Sequence, residues 1–169
     1  MIQFCTDPHL GHKNIAKFRS FVKSTEDNTE QFTLEAAAKL NKRSITYFLG
    51  DVAFDLESLD KIAQLPGRKI LIKGNHDDMI PTRRQAEVFE EIYGLIKYKK
   101  FWLSHAPIHP DELRGKINLH GHVHGSTVMC GDHIDRRYMN LCPDVTGQYF
   151  ISLDEVRSVL AARAASLVS

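Results

Sequence analysis

Five short motifs in this sequence each pair acid–base or metal-ligating residue types with a turn. In chain order these are Asp7-Pro8-His9, Gly50-Asp51, Gly74-Asn75-His76-Asp77, Ser104-His105 and Gly121-His122-Val123-His124. Taken singly, each is ordinary turn chemistry, since Gly-Asp and Gly-Asn commonly follow a strand. Their joint occurrence is hard to explain by folding. A carboxylate or imidazole withdrawn from water needs a partner, and several together usually find a metal ion. Carboxylate, carboxamide and imidazole donors with no thiolate among them suit borderline divalent metals such as Mn, Fe or Zn. A structural single-zinc domain explains the set poorly, because such sites favour cysteine and close with four ligands.

The motifs need elements that deliver them to one place. Apolar runs over 2–6, 45–49, 69–72, 101–103 and 117–119 are rich in Ile, Phe, Tyr and Leu and read as buried strands, each ending at a motif. Between them, His12 to Val22 reads as a helix, Ser24 to Thr29 as a polar loop, and Glu30 to Lys42 as a helix with Phe32, Ala36, Ala37 and Leu40 on one face. Asp55 is placed to cap a helix from Leu56 to Gln64, and a third helix is expected over Met79 to Glu90. Val128 to Met139 reads as a hairpin around Gly131-Asp132. Ser152 and Glu155 form a capping-box pattern for a last helix ending near Ala165. Strands alternating with helices imply an α/β layered fold, in which ligands sit beyond the carboxyl ends of the strands.

Composition sets the bounds. The 169 residues are expected to form a single domain over residues 1–169, with 43% apolar and 25% charged residues and a formal net charge of +1. That balance gives no global field for polyanions or anionic membranes. No apolar run reaches the ~20 residues of a membrane span, and the N-terminus lacks the pattern of a secretory signal. Cys5, Cys130 and Cys142 match no metal knuckle or redox pair, which points to a reducing, cytoplasmic setting. Lys97, Lys99, Lys100, Arg136 and Arg137 read as solvated surface.

The five motifs resemble the ordered signature of the calcineurin-like metallophosphoesterases: Asp-x-His, Gly-Asp, Gly-Asn-His-Asp/Glu, His, and Gly-His-x-His. They span residues 7–124, with Pro8 where Thr or Ser is commoner. Gly11-His12-x-Asn14-Ile15, Asn140 and the ending Ile151-Ser152-Leu153-Asp154-Glu155 bring the likeness closer to small bacterial and phage phosphoesterases, over nearly the whole chain. The resemblance implies a four-layer αββα sandwich without a cap domain. It also implies two divalent ions, Mn first, with Fe, Zn, Ni or Co as alternatives. Asp7, His9, Asp51 and His124 would hold one ion, and Asp51, Asn75, His105 and His122 the other, with Asp51 bridging.

On this likeness the chain hydrolyses phosphomonoesters, phosphodiesters or both through a metal-bridging hydroxide. The substrate would be a phosphate ester, including nucleotides or nucleic-acid ends, with no membrane and no evident protein partner. His76 would protonate the leaving oxygen, with Asp77 and Asp55 both candidates to orient it. The alternative is a catalytically silent scaffold on the same fold, disfavoured because every expected ligand is present. His12 is a substrate-side candidate. His120 reads as packed in its strand, His109 and His133 as surface residues, and Arg19 as part of a solvated helix face.

Overall fold

Successive side chains of a strand point to opposite faces, so a strand buried at consecutive positions must be covered on both sides. That is the situation of the first three long strands. In the computed structural model, which describes residues 1–165, the chain runs β1 (Ile2–Cys5), α1 (Ile15–Phe18), α2 (Thr25–Lys39), β2 (Ile45–Phe48), α3 (Leu56–Ala63), β3 (Arg68–Ile72), α4 (Thr82–Gln85), β4 (Glu91–Tyr93), β5 (Leu95–Tyr98), β6 (Phe101–Ser104), β7 (Ile117–His120), β8 (Met129–Cys130), β9 (His133–Ile134), β10 (Tyr138–Asn140), α5 (Pro143–Thr146), β11 (Ile151–Ser152) and α6 (Leu153–Ala165).

The architecture is mixed α/β. One sheet has the order β11-β1-β2-β3-β4 and a second the order β10-β7-β6-β5, while β8 and β9 pair as a separate hairpin. In the first sheet β1, β2, β3 and β4 are parallel and β11 is antiparallel. In the second, β6, β7 and β10 are parallel and β5 is antiparallel. Pairing puts Cys5 beside Phe48 and Phe48 beside Leu71, so the carboxyl ends of β1, β2 and β3 are level. The motif at 7–9, the Asp51 turn and the 74–77 turn therefore emerge along one edge.

The period-two pattern sorts the core. Phe4, Tyr47, Leu49, Ile70 and Ile72 bury against Phe101, Leu103, Leu119 and Met139 of the second sheet. Cys5, Phe48 and Leu71 point the other way, into a cluster with Phe32 and Ala36 of α2 and Leu59 and Ile62 of α3. The first sheet is thus packed between helices and the second sheet. No helix among the described residues is long and apolar enough to cross a membrane.

The helices depart from the sequence expectations for local reasons. Ser24 is extended and its hydroxyl accepts from the Asp27 amide at 3.1 Å, so α2 begins within the expected loop. Its first turn carries Glu26 and Asp27, which suit the positive end of the helix dipole. The expected helix from His12 shrinks to one turn because Arg19 turns extended and its side chain runs inward. The expected helix over 79–90 shrinks to α4, because Pro81 forces Ile80 into an extended conformation. The two predicted caps form as expected: Asp55 accepts from Ser58, and Ser152 and Glu155 exchange reciprocal bonds.

Phe48 is fully buried between the rings of Phe89 and Phe150. Phe48→Ala is expected to lower unfolding free energy by about 3–5 kcal/mol, measured by urea denaturation. Leu34→Ala, on the exposed face of α2, is expected to stay within about 0.5 kcal/mol. Equal effects would contradict the packing described.

Candidate metal centre

The loops after β1, β2, β3, β6 and β7 converge, and their side chains form two groups. Asp7, His9 and His124 offer donor atoms within 4.8 Å of one another, as do Asp51, His105 and His122. In the first group His9 Nε2 lies 3.3 Å from Asp7 Oδ1 and 3.7 Å from Asp51 Oδ2. In the second, His105 Nε2 lies 3.3 Å from Asp51 Oδ2, 3.0 Å from Asn75 Oδ1 and 3.1 Å from His122 Nδ1. Donors about 2.1 Å from a shared ion stand roughly 3.0–3.5 Å apart, so this spacing fits a cation. Asp51 Oδ2 faces both groups. All seven residues expected to be ligands are thus brought together, and His76 stands beside them with Nε2 4.0 Å from Asp51 Oδ2.

The backbone is bent to achieve this. Seven non-glycine residues among those described have a left-handed φ, and five of them are Asp7, His9, Asp51, His122 and His124. That conformation costs roughly 1–2 kcal/mol for a residue with a Cβ, and it persists only where the surroundings enforce it. The enforcement is visible. The Asp7 and His9 amides donate to the carbonyls of Gly50 and Asp51, both at 3.1 Å. Asp77, buried and off to the side, accepts from the amides of Asp51, Val52 and Gly74 at 2.7–3.0 Å. Two glycines are needed for proximity. A Cβ on Gly74 would overlap the Asp51 carboxylate, and one on Gly121 would overlap Thr6 Oγ1 and Asp7 Oδ2.

Hydrogen bonds choose which atom each residue turns to the centre. Asp7 Oδ2 is taken by the Thr6 hydroxyl at 2.5 Å and the His122 amide at 2.9 Å, leaving Oδ1 toward His9. Asp51 Oδ1 accepts from the His76 amide at 2.8 Å, leaving Oδ2. His105 donates Nδ1–H to the Leu49 carbonyl at 2.8 Å, and His124 donates Nδ1–H to Asp144 at 3.2 Å, so both turn Nε2 inward.

The electrostatics follow from burial. Asp7 is 0% and Asp51 2% exposed. Burial pushes both carboxyls up, but the bond from His9 and the nearby His105 hold Asp7 well below the carboxylate range. His105 and the His76 amide outweigh burial at Asp51 as well and lower its carboxyl. Burial lowers the His105 imidazole, yet Asp51 and Asp7 raise it on balance. The bond to Asp144 raises His124. Both carboxylates are therefore held anionic at the floor of the site.

Neither residue expected to orient His76 does so. Asp77 spends its carboxylate on three amides and Asp55 caps α3. His76 instead packs beside Phe54, with ring centroids 5.2 Å apart. His12 packs edge-on to the same Phe54 at 4.7 Å and lies 5.9 Å from the His9 ring, at the rim of the first group. His120 is buried in β7 as expected, donating to the Gly121 carbonyl, and His109 and His133 are exposed. Arg19 overturns its sequence reading: it is 1% exposed, paired with Asp144 at 3.3 Å, and bonded to the carbonyl of Asp7 at 2.7 Å. Sequence reasoning missed Asp144 and Asn28 as well, since a lone acid or amide at a helix start carries no signal beyond capping.

No protein-family model matches the chain. The chain is 29% identical to the Gene 66 protein of Mycobacterium phage L5 over 189 aligned positions, covering 90% of each. It is 26% identical to the Gene 66 protein of Mycobacterium phage D29 over 193 positions, covering 94% of this chain and 95% of that one. Among solved structures, a protein of unknown function from Aquifex aeolicus superposes with a TM-score of 0.74 at 25% identity, covering 94% of this chain and 98% of that chain. The likeness is of the whole fold. The nuclease MPE of Pseudomonas putida gives a TM-score of 0.48 at 20% identity, over 73% of this chain and 60% of that one.

Gly121 and Gly125 flank the same motif but differ in surroundings, since nothing lies within 4 Å of a Cβ on Gly125. Gly121→Ala is expected to displace Asp7 and weaken the binding of a divalent cation about tenfold or more, read by calorimetric titration. Gly125→Ala is expected to leave binding unchanged. Indifference of both would mean that Asp7 is not held where this geometry puts it.

Proposed function

We propose that the chain is a dinuclear metal-dependent phosphoesterase of the calcineurin-like type, built as a single domain on the four-layer αββα sandwich without a cap. The observation that carries this reading is the pair of donor groups sharing Asp51 Oδ2 at the carboxyl ends of strands from two sheets. Asp7, His9, Asp51 and His124 form one ion site, and Asp51, Asn75, His105 and His122 the other. Mn²⁺ is the first choice of metal for an oxygen- and imidazole-rich set without thiolate. When bound, two divalent cations supply positive charge that ionises a water near neutral pH and neutralises phosphoryl oxygens.

The chain's own groups do the rest. Asp7 and Asp51 provide the fixed negative charge, and their second oxygens are tied to Thr6, His122 and His76 amides or hydroxyl, so they cannot rotate away. His76 has a 47% exposed side chain beside Phe54, so its ring can meet a substrate. As an oxygen from water bonds to phosphorus and the P–O ester bond breaks, the electron pair leaves with the ester oxygen, and the imidazolium of His76 would supply the proton that makes it an alcohol. His12, which also packs against Phe54 and lies 5.9 Å from the His9 ring, is assigned to the substrate side. The substrate is a phosphate ester, a class that includes nucleotides and nucleic-acid ends.

The first test is metal content with activity. The wild-type chain is expected to take up two Mn²⁺ and to hydrolyse phosphomonoesters or phosphodiesters, while Asp51→Asn is expected to deplete both sites and abolish turnover. Elemental analysis showing one tight site or none in the wild type would sink the dinuclear reading.

His76→Ala separates ion binding from proton transfer. The variant is expected to keep both ions and lose about 10²–10⁴ in kcat on alkyl or nucleoside esters, whose leaving oxygens are strongly basic. On nitrophenyl esters, which depart unprotonated, the loss is expected to be much smaller. Equal losses on both, at matched metal content, count against the acid role.

A further inference from the structure

Among the described residues Arg19 is the largest side chain buried almost completely, at 1% exposure. Desolvating a guanidinium is costly unless every donor is met by an acceptor, so its placement needs a reason. Its donors are all engaged. Nη2 donates to the Asp7 carbonyl at 2.7 Å and to Asp144 Oδ2 at 3.3 Å. Nη1 donates to Asn28 Oδ1 at 3.0 Å and to the Pro8 carbonyl at 3.4 Å, and Nε reaches Asp144 Oδ1 at 3.5 Å. The rings of Phe21 and Tyr149 lie 5.7 and 5.6 Å from the guanidinium carbon, a distance at which an aromatic face attracts a cation.

These contacts have a single destination. The carbonyls of Asp7 and Pro8 belong to the peptide units between Asp7 and His9, both of which are in the left-handed region. Asn28 adds a second clamp, donating Nδ2–H to the Pro8 carbonyl at 2.9 Å. Asp144, fixed by the two-point pairing with Arg19, accepts from His124 Nδ1. One buried cation therefore touches the backbone of Asp7 and Pro8 directly and His124 through Asp144. Those are the positions that set Asp7, His9 and His124.

The other group is held by different means. Asp51 and its turn hang on Asp77, and His105 hangs on the Leu49 carbonyl. Arg19 contacts none of these. The two groups share Asp51 Oδ2 and are joined by the Asp7 and His9 amides on the Gly50 and Asp51 carbonyls and by the His122 amide on Asp7 Oδ2, but the bonds of Arg19, Asn28 and Asp144 reach the first group alone.

We propose that Arg19, acting with Asp144 and Asn28, is a positioning residue for the Asp7–His9–His124 ion site alone, so that its loss empties one site of the pair and leaves the other occupied. The proposal rests on the dinuclear reading and goes beyond it, because it makes the two sites separable by residues that touch neither ion. Partners of this kind orient a ligand imidazole and fix its tautomer, and their removal commonly weakens metal binding about 10–100-fold. Lys cannot substitute fully, since an ammonium has three donors and no planar fork.

The experiment uses the full chain loaded with Mn²⁺, with metal content by elemental analysis and the pair read by electron paramagnetic resonance. Wild type is expected to hold two ions with an exchange-coupled spectrum. Arg19→Met and Asp144→Asn are expected to hold one ion with the six-line spectrum of isolated Mn²⁺, the residual ion binding at wild-type affinity. Arg19→Lys is expected to fall between. If Arg19→Met does not fold by circular dichroism, Asp144→Asn decides, because its neutral amide keeps the shape while weakening both bonds. Two ions at wild-type affinity in the folded variants, or loss of both ions together, would overturn the proposal. A wild-type chain that never binds two ions would instead overturn the dinuclear reading on which it stands.

Discussion

Two carboxylates held out of water in neighbouring turns govern this structure. Asp7 and Asp51 are buried, and each opposes the ionisation of the other. An uncompensated buried charge is among the costliest features a fold can carry. Both nevertheless remain anionic, because His9, His105, Thr6 and two amides stand around them. Much of the local chemistry reads as a consequence of keeping this pair in place. Gly74 and Gly121 are glycine because the carboxylates and Thr6 occupy the space of their Cβ atoms. Asp77 is buried because the Asp51 turn needs an acceptor for three amides. Its own carboxyl is pushed up by that burial, even though the amides pull the other way.

The fold supplies precision that loops alone lack. Parallel pairing in register makes the ends of β1, β2 and β3 coincide, and the apolar interface between the sheets fixes where β6 and β7 end relative to them. A shift of one residue in register would exchange the faces of Phe4 and Cys5 and of Tyr47 and Phe48. Such a slip would put apolar residues of one core into the other and move Asp7 by a residue's length. Core packing and site geometry are therefore enforced by the same alternation.

What was legible in the sequence was whatever depended on local pattern. The strand ends at Asp7, Asp51, Asn75, His105 and His122 announced themselves by apolar runs stopping at polar turns, and the Asp55 and Ser152 caps by spacing. What depended on distant partners was not legible. Arg19 looks like any arginine in a short helical segment. Its burial follows from Asp144, 125 positions away, and from the shape of the 7–9 turn. Ser24 to Thr29 looked like a loop because its residues are polar, yet Asn28 is polar in order to meet the Pro8 carbonyl and Arg19 from inside. The helix expected over 79–90 is cut short for a local reason, the restriction Pro81 places on Ile80. The roles of Asp77 and Asp55 were open in sequence, and both turned out to serve the backbone rather than His76.

Exposure across the centre is graded, and the gradient bears on what it can receive. Asp7, His9, Asp51 and His105 form a buried floor, whereas Asn75, His76 and His122 are exposed and His12 and His124 half-buried at the rim. The anionic groups thus lie beneath, and the groups that meet solvent are a carboxamide and imidazoles. An anionic ligand approaching from outside encounters neutral or cationic donors before it reaches a carboxylate, so repulsion from the floor is attenuated by what lies over it. A cationic ligand gains most only by passing the rim and reaching the floor. The arrangement therefore sorts charge by depth, with cations favoured below and an anion above them. On the phosphoesterase reading, that order is the one the reaction needs: the ions seat against Asp7 and Asp51, and the phosphoryl group rests on the side where His76 can hand a proton to the departing oxygen.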